Sequence, residues 1–218
     1  MVEKTKMIPK ATAKRIPLYF RYLKTLEDAG VTRIKSSEFS KMIQIPSATI
    51  RRDFSHFGEL GRSGYGYDVP YLIEVFSEIL STDIEKRIAL VGVGNLGKAL
   101  VTNNFRRNNN LNIVAAFDTD PELIGEKVNG IVIQQMEDMK VVIEKEAITT
   151  AIMTVPSSKA QKVIDELVSS GVTAVLNFAP KRVKVPNNVQ VQYIDLTTEL
   201  LTLIYYDENY NHADLESL

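Results

Sequence analysis

The 218-residue chain is expected to be an α/β protein in three parts: a winged helix-turn-helix over 1–80, a Rossmann-type parallel sheet over 81–195, and a C-terminal helix within 196–218. Three observations predict this. The first is a short apolar run, Ile88 to Val91, entering Gly92-Val93-Gly94-Asn95-Leu96-Gly97 and then helix formers. The second is a pair of short helical segments joined by a tight turn, the later one carrying Arg51-Arg52. The third is charge. Residues 1–62 hold 13 Lys and Arg against 6 Asp and Glu, a balance of +7, and the rest of the chain carries −8. A basic third on an acidic body suggests a polyanion-binding module attached to a differently employed domain.

Residues 11–29 have Ile16, Tyr19, Tyr22, Leu23 and Leu26 at helical spacing, with Gly30 as the stop. Pro17 restricts the firm helix to begin near Ile16. Ser36 or Ser37 is the expected N-cap of a second helix, with Glu38 in its first turn, running to Ile43. Gln44-Ile45-Pro46 breaks it. Ser47 then caps a third helix, Ala48 to Phe57, closed by Gly58. Ile50, Phe54 and Phe57 form its inward stripe, which leaves Ser47, Thr49, Arg51, Arg52 and Ser55 outside. A recognition helix lays its N-terminal residues against base edges, and Arg is the commonest reader of guanine. The following Gly61-Arg62-Ser63-Gly64-Tyr65-Gly66-Tyr67 has the composition of a wing, with Arg62 available to a minor groove or a phosphate, and Tyr65 and Tyr67 each equally suited to wing packing or to DNA contact.

Asp68 to Leu80 reads as a connecting helix and Ser81-Thr82-Asp83 as a linker. The run Ile88–Val91, the turn and the helix that follows form the G-x-G-x-x-G fingerprint in its required context. Gly92 permits the tight turn, Gly94 lets backbone approach a pyrophosphate, and Gly97 lets the helix lie on the strand. Ile113 to Phe117 is the next strand and ends in Asp118, close to the spacing of about 20 residues expected for the acid that takes a ribose diol. No base follows Asp118 closely, so NAD(H) is expected in preference to NADP(H). Further strands fall near 131–133, 149–155, 174–178 and 189–193, with helices at 136–145 and 159–169, the second capped by Ser157 or Ser158. In parallel sheets ligands lie off the carboxyl ends of strands. That rule brings Thr154-Val155-Pro156 and Asn177-Phe178-Ala179 toward the cofactor, although Pro156 and Pro180 are equally good strand terminators. Leu196 to Tyr206 is a helix apolar around most of its circumference. Such a helix is buried, and a lone terminal one commonly finds its partner in another subunit.

The chain has no cysteine, and it lacks an apolar run long enough for a bilayer or a signal peptide, which suits a reducing cytoplasm. No metal site is expected, and no catalytic residues. A dehydrogenase needs a group to handle the proton on the reacting oxygen. The two histidines are His56, on the recognition helix, and His212, in the polar tail; the region after the fingerprint is also too small for a substrate domain. An enzyme is therefore disfavoured. A repressor answering to another nucleotide is the third reading.

The segments S-A-T-I-R-R-D-F-S-H-F-G-E-L-G-R-S-G-Y-G-Y, V-G-V-G-N-L-G, F-D-T-D-P, T-V-P, N-F-A-P and Y-I-D-L-T-T-E-L together resemble the Rex family of bacterial redox-sensing repressors, from Ile8 to Tyr206. The resemblance implies a homodimer with a C-terminal exchanged helix, an operator of two-fold symmetry in double-stranded DNA, and NADH and NAD+ as effectors, NADH releasing the DNA. By position it assigns Gly92, Val93, Gly94, Asn95, Leu96 and Gly97 to the pyrophosphate, Asp118 to the adenine ribose, and Arg51 and Arg52 to the groove. Arg21 and Asp195 resemble a pair that links the two domains in one state; taken alone they are a surface Arg and a helix N-cap. Asn103 stands where the family usually has a Tyr belonging to the switch, and Ser63 where the wing commonly has a second base.

Overall fold

The computed structural model describes residues 8–58, 60–62, 65–103 and 110–209. Ser63, Gly64 and His212 lie outside the described residues. The chain divides into two units between Asp83 and Ile84, three residues beyond the expected boundary.

The first unit contains α1 (Lys10–Asp28), β1 (Arg33–Ile34), α2 (Ser36–Ile43), α3 (Ser47–Phe54) with a 3-10 turn to Phe57, β2 (Gly61–Arg62), β3 (Gly66–Asp68) and α4 (Val69–Leu80). The three short strands form an antiparallel sheet in the order β1-β3-β2. This is the wing, joined on its other edge by β1. The core is aromatic. Tyr19, Phe39, Phe54, Phe57 and Phe76 are buried, with Phe54 edge-on to Tyr19 at 5.4 Å and to Tyr67 at 4.9 Å.

Several expected helix starts moved. α1 begins at Lys10 and runs through Pro17. The proline removes one backbone donor, yet Thr12 and Arg15 before it and Tyr19 after it are all tied to Asp53 on α3. Lys35 is the N-cap of α2, its backbone N–H donating to the Glu38 carboxylate at 3.2 Å, so Ser36 and Ser37 lie inside the helix. Pro46 is the N-cap of α3 and Ser47 its first residue. Lys159, not Ser157 or Ser158, precedes the helix Ala160–Ser169.

The second unit contains β4 (Lys86–Val91), α5 (Asn95–Asn103), β5 (Leu111–Asp118), β6 (Lys127–Val128), β7 (Ile131–Gln135), α6 (Met139–Lys145), β8 (Thr150–Met153), α7 (Ala160–Ser169), β9 (Ala174–Asn177), β10 (Gln190–Tyr193) and α8 (Leu196–Asn209). Its strands take the order β10-β9-β8-β4-β5-β7-β6, parallel except for β6 against β7. The chain builds outward from β4 to one edge and then returns to β8 on the other side. The switch point therefore falls between β4 and β8, where such sheets bind ligands. Apolar clusters form both faces: Val91, Phe117, Met153 and Leu167 belong to one, Leu90, Val93, Val101 and Ile152 to the other.

Every residue of α8 is exposed in the single chain, Leu203 at 63 % and Leu201 at 62 %. The expected burial is not supplied by this chain.

Candidate nucleotide cleft and nucleic-acid face

At the switch point the backbone shape demands glycine. Gly92 has φ +93°, and a Cβ there would come within 2.9 Å of the Thr154 carbonyl oxygen. A Cβ on Gly97 would lie 2.0 Å from the Gly92 carbonyl oxygen, so α5 rests directly on the turn. At Gly94 nothing stands within 4 Å of that position. The middle glycine thus faces open space, as a backbone that must admit a pyrophosphate should.

The loop is braced from two sides. The Thr154 hydroxyl donates to the Gly92 carbonyl at 2.5 Å. The Asp118 carboxylate accepts from the Val93 N–H at 2.5 Å on one oxygen, and from the Thr119 and Asp120 N–H groups at 2.7 and 3.0 Å on the other. Asp118 is thereby fixed at the end of β5, facing the fingerprint.

A cavity of about 750 Å³ opens here, within the second unit. Of the sequence-predicted residues, Gly92, Gly94, Asp118, Thr154, Val155 and Pro156 line it. Val93 is buried in the core, and Asn95, Leu96 and Gly97 form the first turn of α5 without lining the cavity. Asn177, Phe178 and Ala179 are not among its lining residues either. The Asn177 side chain is buried and closes its own turn, accepting from the Ala179 N–H at 2.8 Å and donating to the Lys181 carbonyl at 3.1 Å. Sequence reasoning missed Thr119, Asp120, Met136, Lys140 and Lys159, which do line the cavity. Extending the carboxyl-end rule to the first residues after each strand would have found Thr119 and Asp120.

On the first unit, α3 turns Ile50 and Phe54 inward and exposes Arg51, Arg52 and Ser55; Ser47 and Thr49 are half-buried. Arg51 Nη1 donates to the hydroxyls of Ser36 at 3.3 Å and Ser47 at 3.4 Å. The Ser55 hydroxyl donates to the Arg52 carbonyl at 2.7 Å. Tyr65 is 65 % exposed, while Tyr67 packs on Phe54. Arg62 lies in β2, its backbone register opposite Gly66.

Asp53, which follows the two arginines, was not singled out and is 1 % exposed. Four donors from one face of α1 meet it: the Thr12 hydroxyl at 2.8 Å, Arg15 Nη2 at 2.7 Å, Arg15 Nε at 2.6 Å and the Tyr19 hydroxyl at 2.5 Å. Burial pushes the Asp53 carboxyl up, but the bonds from Arg15, Tyr19 and Thr12 outweigh it and hold it below the usual carboxylate range. Burial and the Asp53 charge push the Tyr19 hydroxyl up, keeping it a neutral donor. The spacing from Ile50 places Asp53 on the inward stripe, which was the available signal.

Arg21 is exposed, stacked against Tyr22 at 5.4 Å. Asp195, in the second unit, caps α8: it accepts from the Thr198 hydroxyl at 2.8 Å and from the backbone N–H groups of Thr197 and Thr198. Those bonds lower its pKa. Asn103 is the exposed last residue of α5.

Residues 7–55 match the family described as putative DNA-binding protein N-terminus, and residues 83–181 match the CoA binding domain family. The chain is 68 % identical over 209 residues to redox-sensing transcriptional repressor Rex 2 of Enterococcus faecalis, covering 96 % of this chain and 97 % of that one. It is 54 % identical to redox-sensing transcriptional repressor Rex of Latilactobacillus sakei, covering 92 % and 97 %. Among solved structures, RSP in complex with β-NAD+ and operator DNA superposes with a TM-score of 0.86 at 32 % identity, 94 % of each chain being covered. RSP in complex with β-NADH superposes at 0.84 and 31 % identity, covering 94 % of this chain and 96 % of that one.

Proposed function

The chain belongs to the Rex family of redox-sensing transcriptional repressors, and from that premise we propose how its own residues carry out repression and release. The protein binds operator DNA through the winged helix and NADH or NAD+ in the cleft at the β4–β8 switch point. NADH releases the operator. It is a regulator and not a dehydrogenase. The observation that carries the nucleotide half is the fingerprint geometry: Gly94 open, Gly97 packed on Gly92, and Asp118 anchored opposite.

Gly92 and Gly94, with the α5 N-terminal turn from Asn95 to Gly97, hold the pyrophosphate, while Val93 fixes the loop through Asp118. Asp118 takes the ribose diol and repels a 2′-phosphate. Thr154, Val155 and Pro156 line the cleft beside the glycine turn. Asn177, Phe178 and Ala179 act on the cofactor by fixing the turn beside β8, since the Phe178 N–H donates to the Met153 carbonyl. Ser47, Thr49, Arg51, Arg52 and Ser55 face the major groove, and Arg62 and Tyr65 the flanking backbone or minor groove. Two copies assemble through exchanged α8 helices, so that two winged helices meet an operator of two-fold symmetry, with half-sites about 34–36 Å apart or a multiple of that. Arg21 and Asp195 are the pair formed in one state only, and Asn103, standing where the family's Tyr competes for Asp195, is a shorter hydrogen-bonding group in that switch.

Among the described residues no helix is long and apolar enough to cross a membrane, and no cluster of His, Cys, Asp and Glu could hold a metal. We place the protein in the cytoplasm, beside its DNA. Titration of the protein–operator complex with NADH and NAD+ separately tests this reading. Release by NADH at concentrations where NAD+ leaves the complex intact is expected, and equal retention under both would overturn it.

A further inference from the structure

We propose that Arg33, which lies outside the recognition helix and the wing tip, is a DNA-backbone contact whose guanidinium is held in place by the wing. The inference rests on the DNA-binding reading above. Arg33 begins β1 and stands opposite Asp68 in the antiparallel ladder with β3. Its guanidinium carbon lies 4.2 Å from the centroid of the Tyr65 ring, over the ring face. Its Nη2 is 3.7 Å from Asp68 Oδ2. The other Asp68 oxygen caps α4 through the Tyr71 N–H at 3.0 Å.

This arrangement orients the guanidinium without using it up. The ion pair is long and its side chains are 45 % and 42 % exposed, a setting in which an ion pair contributes little. Stacking uses the face of the guanidinium and leaves its in-plane N–H donors available. A planar fork with free donors is suited to a phosphate. The location agrees with that use. Arg33 leads through Ile34 and Lys35 into Ser36, whose hydroxyl accepts from Arg51 of the recognition helix. Tyr65, the partner in the stack, is the most exposed aromatic on the wing. Arg33 therefore bridges the wing and the start of α2, the two elements beside the reading side chains.

The test is the salt dependence of binding by the full-length chain to the duplex that the wild-type chain enriches from a randomised pool. Each neutralised phosphate contributes about 0.9 to the slope of log affinity against log salt. Arg33→Gln should reduce the slope by about that amount, with the affinity deficit shrinking as salt rises, and Arg33→Lys should restore the slope because the charge returns. NADH affinity and melting temperature of both variants report on folding. A slope unchanged in Arg33→Gln overturns the assignment, leaving Arg33 as a wing brace. A slope that falls in Arg33→Gln and is not restored in Arg33→Lys also overturns it, since the cause is then a displaced wing and not a lost charge. If the wild-type chain enriches no duplex, the DNA-binding reading fails instead.

Discussion

Gly97 and Gly92 touch across the fingerprint turn: a Cβ on Gly97 would sit 2.0 Å from the Gly92 carbonyl oxygen. The obstacle is backbone, which cannot rotate away as a side chain can. Gly97→Ala must push α5 off β4, at a cost of at least the 1–3 kcal/mol typical of overpacking, about 2 kcal/mol as a working figure. Displacing α5 would also move the amides that the proposed site turns toward the pyrophosphate. The expected result is a lower melting temperature of the second unit and loss of NADH binding. NADH affinity equal to wild type, measured by nucleotide fluorescence, would contradict this packing.

Asp118→Asn keeps the size of the side chain and removes its charge. In the wild type the carboxylate accepts three backbone N–H groups, from Val93, Thr119 and Asp120. Hydrogen bonds to charged groups contribute about 1.5–3 kcal/mol, so NADH affinity should fall by roughly 10- to 150-fold. Discrimination against NADPH should relax as the repulsion toward a 2′-phosphate disappears. DNA affinity without nucleotide should be unchanged; parallel loss of both would point to unfolding.

The fingerprint was legible because its chemistry is local. Within six residues Gly92 and Gly97 are required by backbone geometry and Gly94 keeps the space between them open, and Asp118 follows at the end of the neighbouring strand. Asp53 was not legible because its partners are 34 to 41 residues away and a charged residue on a short helix is ordinarily solvated. The caps of α2, α3 and α7 moved by a residue or two because φ and ψ at a helix start are set by how the preceding segment docks. The N-F-A-P stretch was visible as a strand end, but Asn177 uses both ends of its amide to close the turn, which only the folded chain reveals.

The Asp53 network gives the first unit a defined acid response. A carboxyl whose native pKa is depressed contributes stability that is present above its unfolded value, about 3.9, and is lost as pH falls through the lower native value. Asp53→Asn should therefore destabilise the first unit by about 3 kcal/mol at pH 7, the low end for a broken buried pair because the Arg15 side chain remains 28 % exposed. That difference should shrink below about pH 4. Tyr19→Phe, which removes one donor to that carboxylate, should cost about 1.5–3 kcal/mol. Denaturant unfolding at pH 3, 5 and 7 measures both; a gap between wild type and Asp53→Asn that stays constant with pH would count against the assignment.

Arg52 is exposed on α3 and forms no ion pair among the described residues, so it is available to a base edge. Arg52→Ala should lower operator affinity by about 1–3 kcal/mol and broaden the set of duplexes bound. A phosphate contact would behave differently, weakening all sequences alike. Competition between the operator and a base-substituted duplex separates the two roles.

The helix α8 places Leu200, Leu201, Leu203 and Ile204 in solvent in the single chain, at 56, 62, 63 and 43 % exposure. Burying a leucine side chain is favourable by about 1.5–3 kcal/mol, so a helix with this face drives association wherever a matching surface exists. In the proposed assembly a second copy supplies one, and exchange of the same element between two copies would close it by symmetry. Leu203→Asp puts a charge into that contact. In sedimentation equilibrium the variant should shift from dimer toward monomer. Its operator affinity should collapse, because a lone winged helix keeps only one half-site. Its cleft should still bind NADH, since none of the residues lining the cavity belongs to α8. A variant that remains dimeric would show that α8 is not the element holding the two copies together, and the exchanged-helix assembly would have to be abandoned.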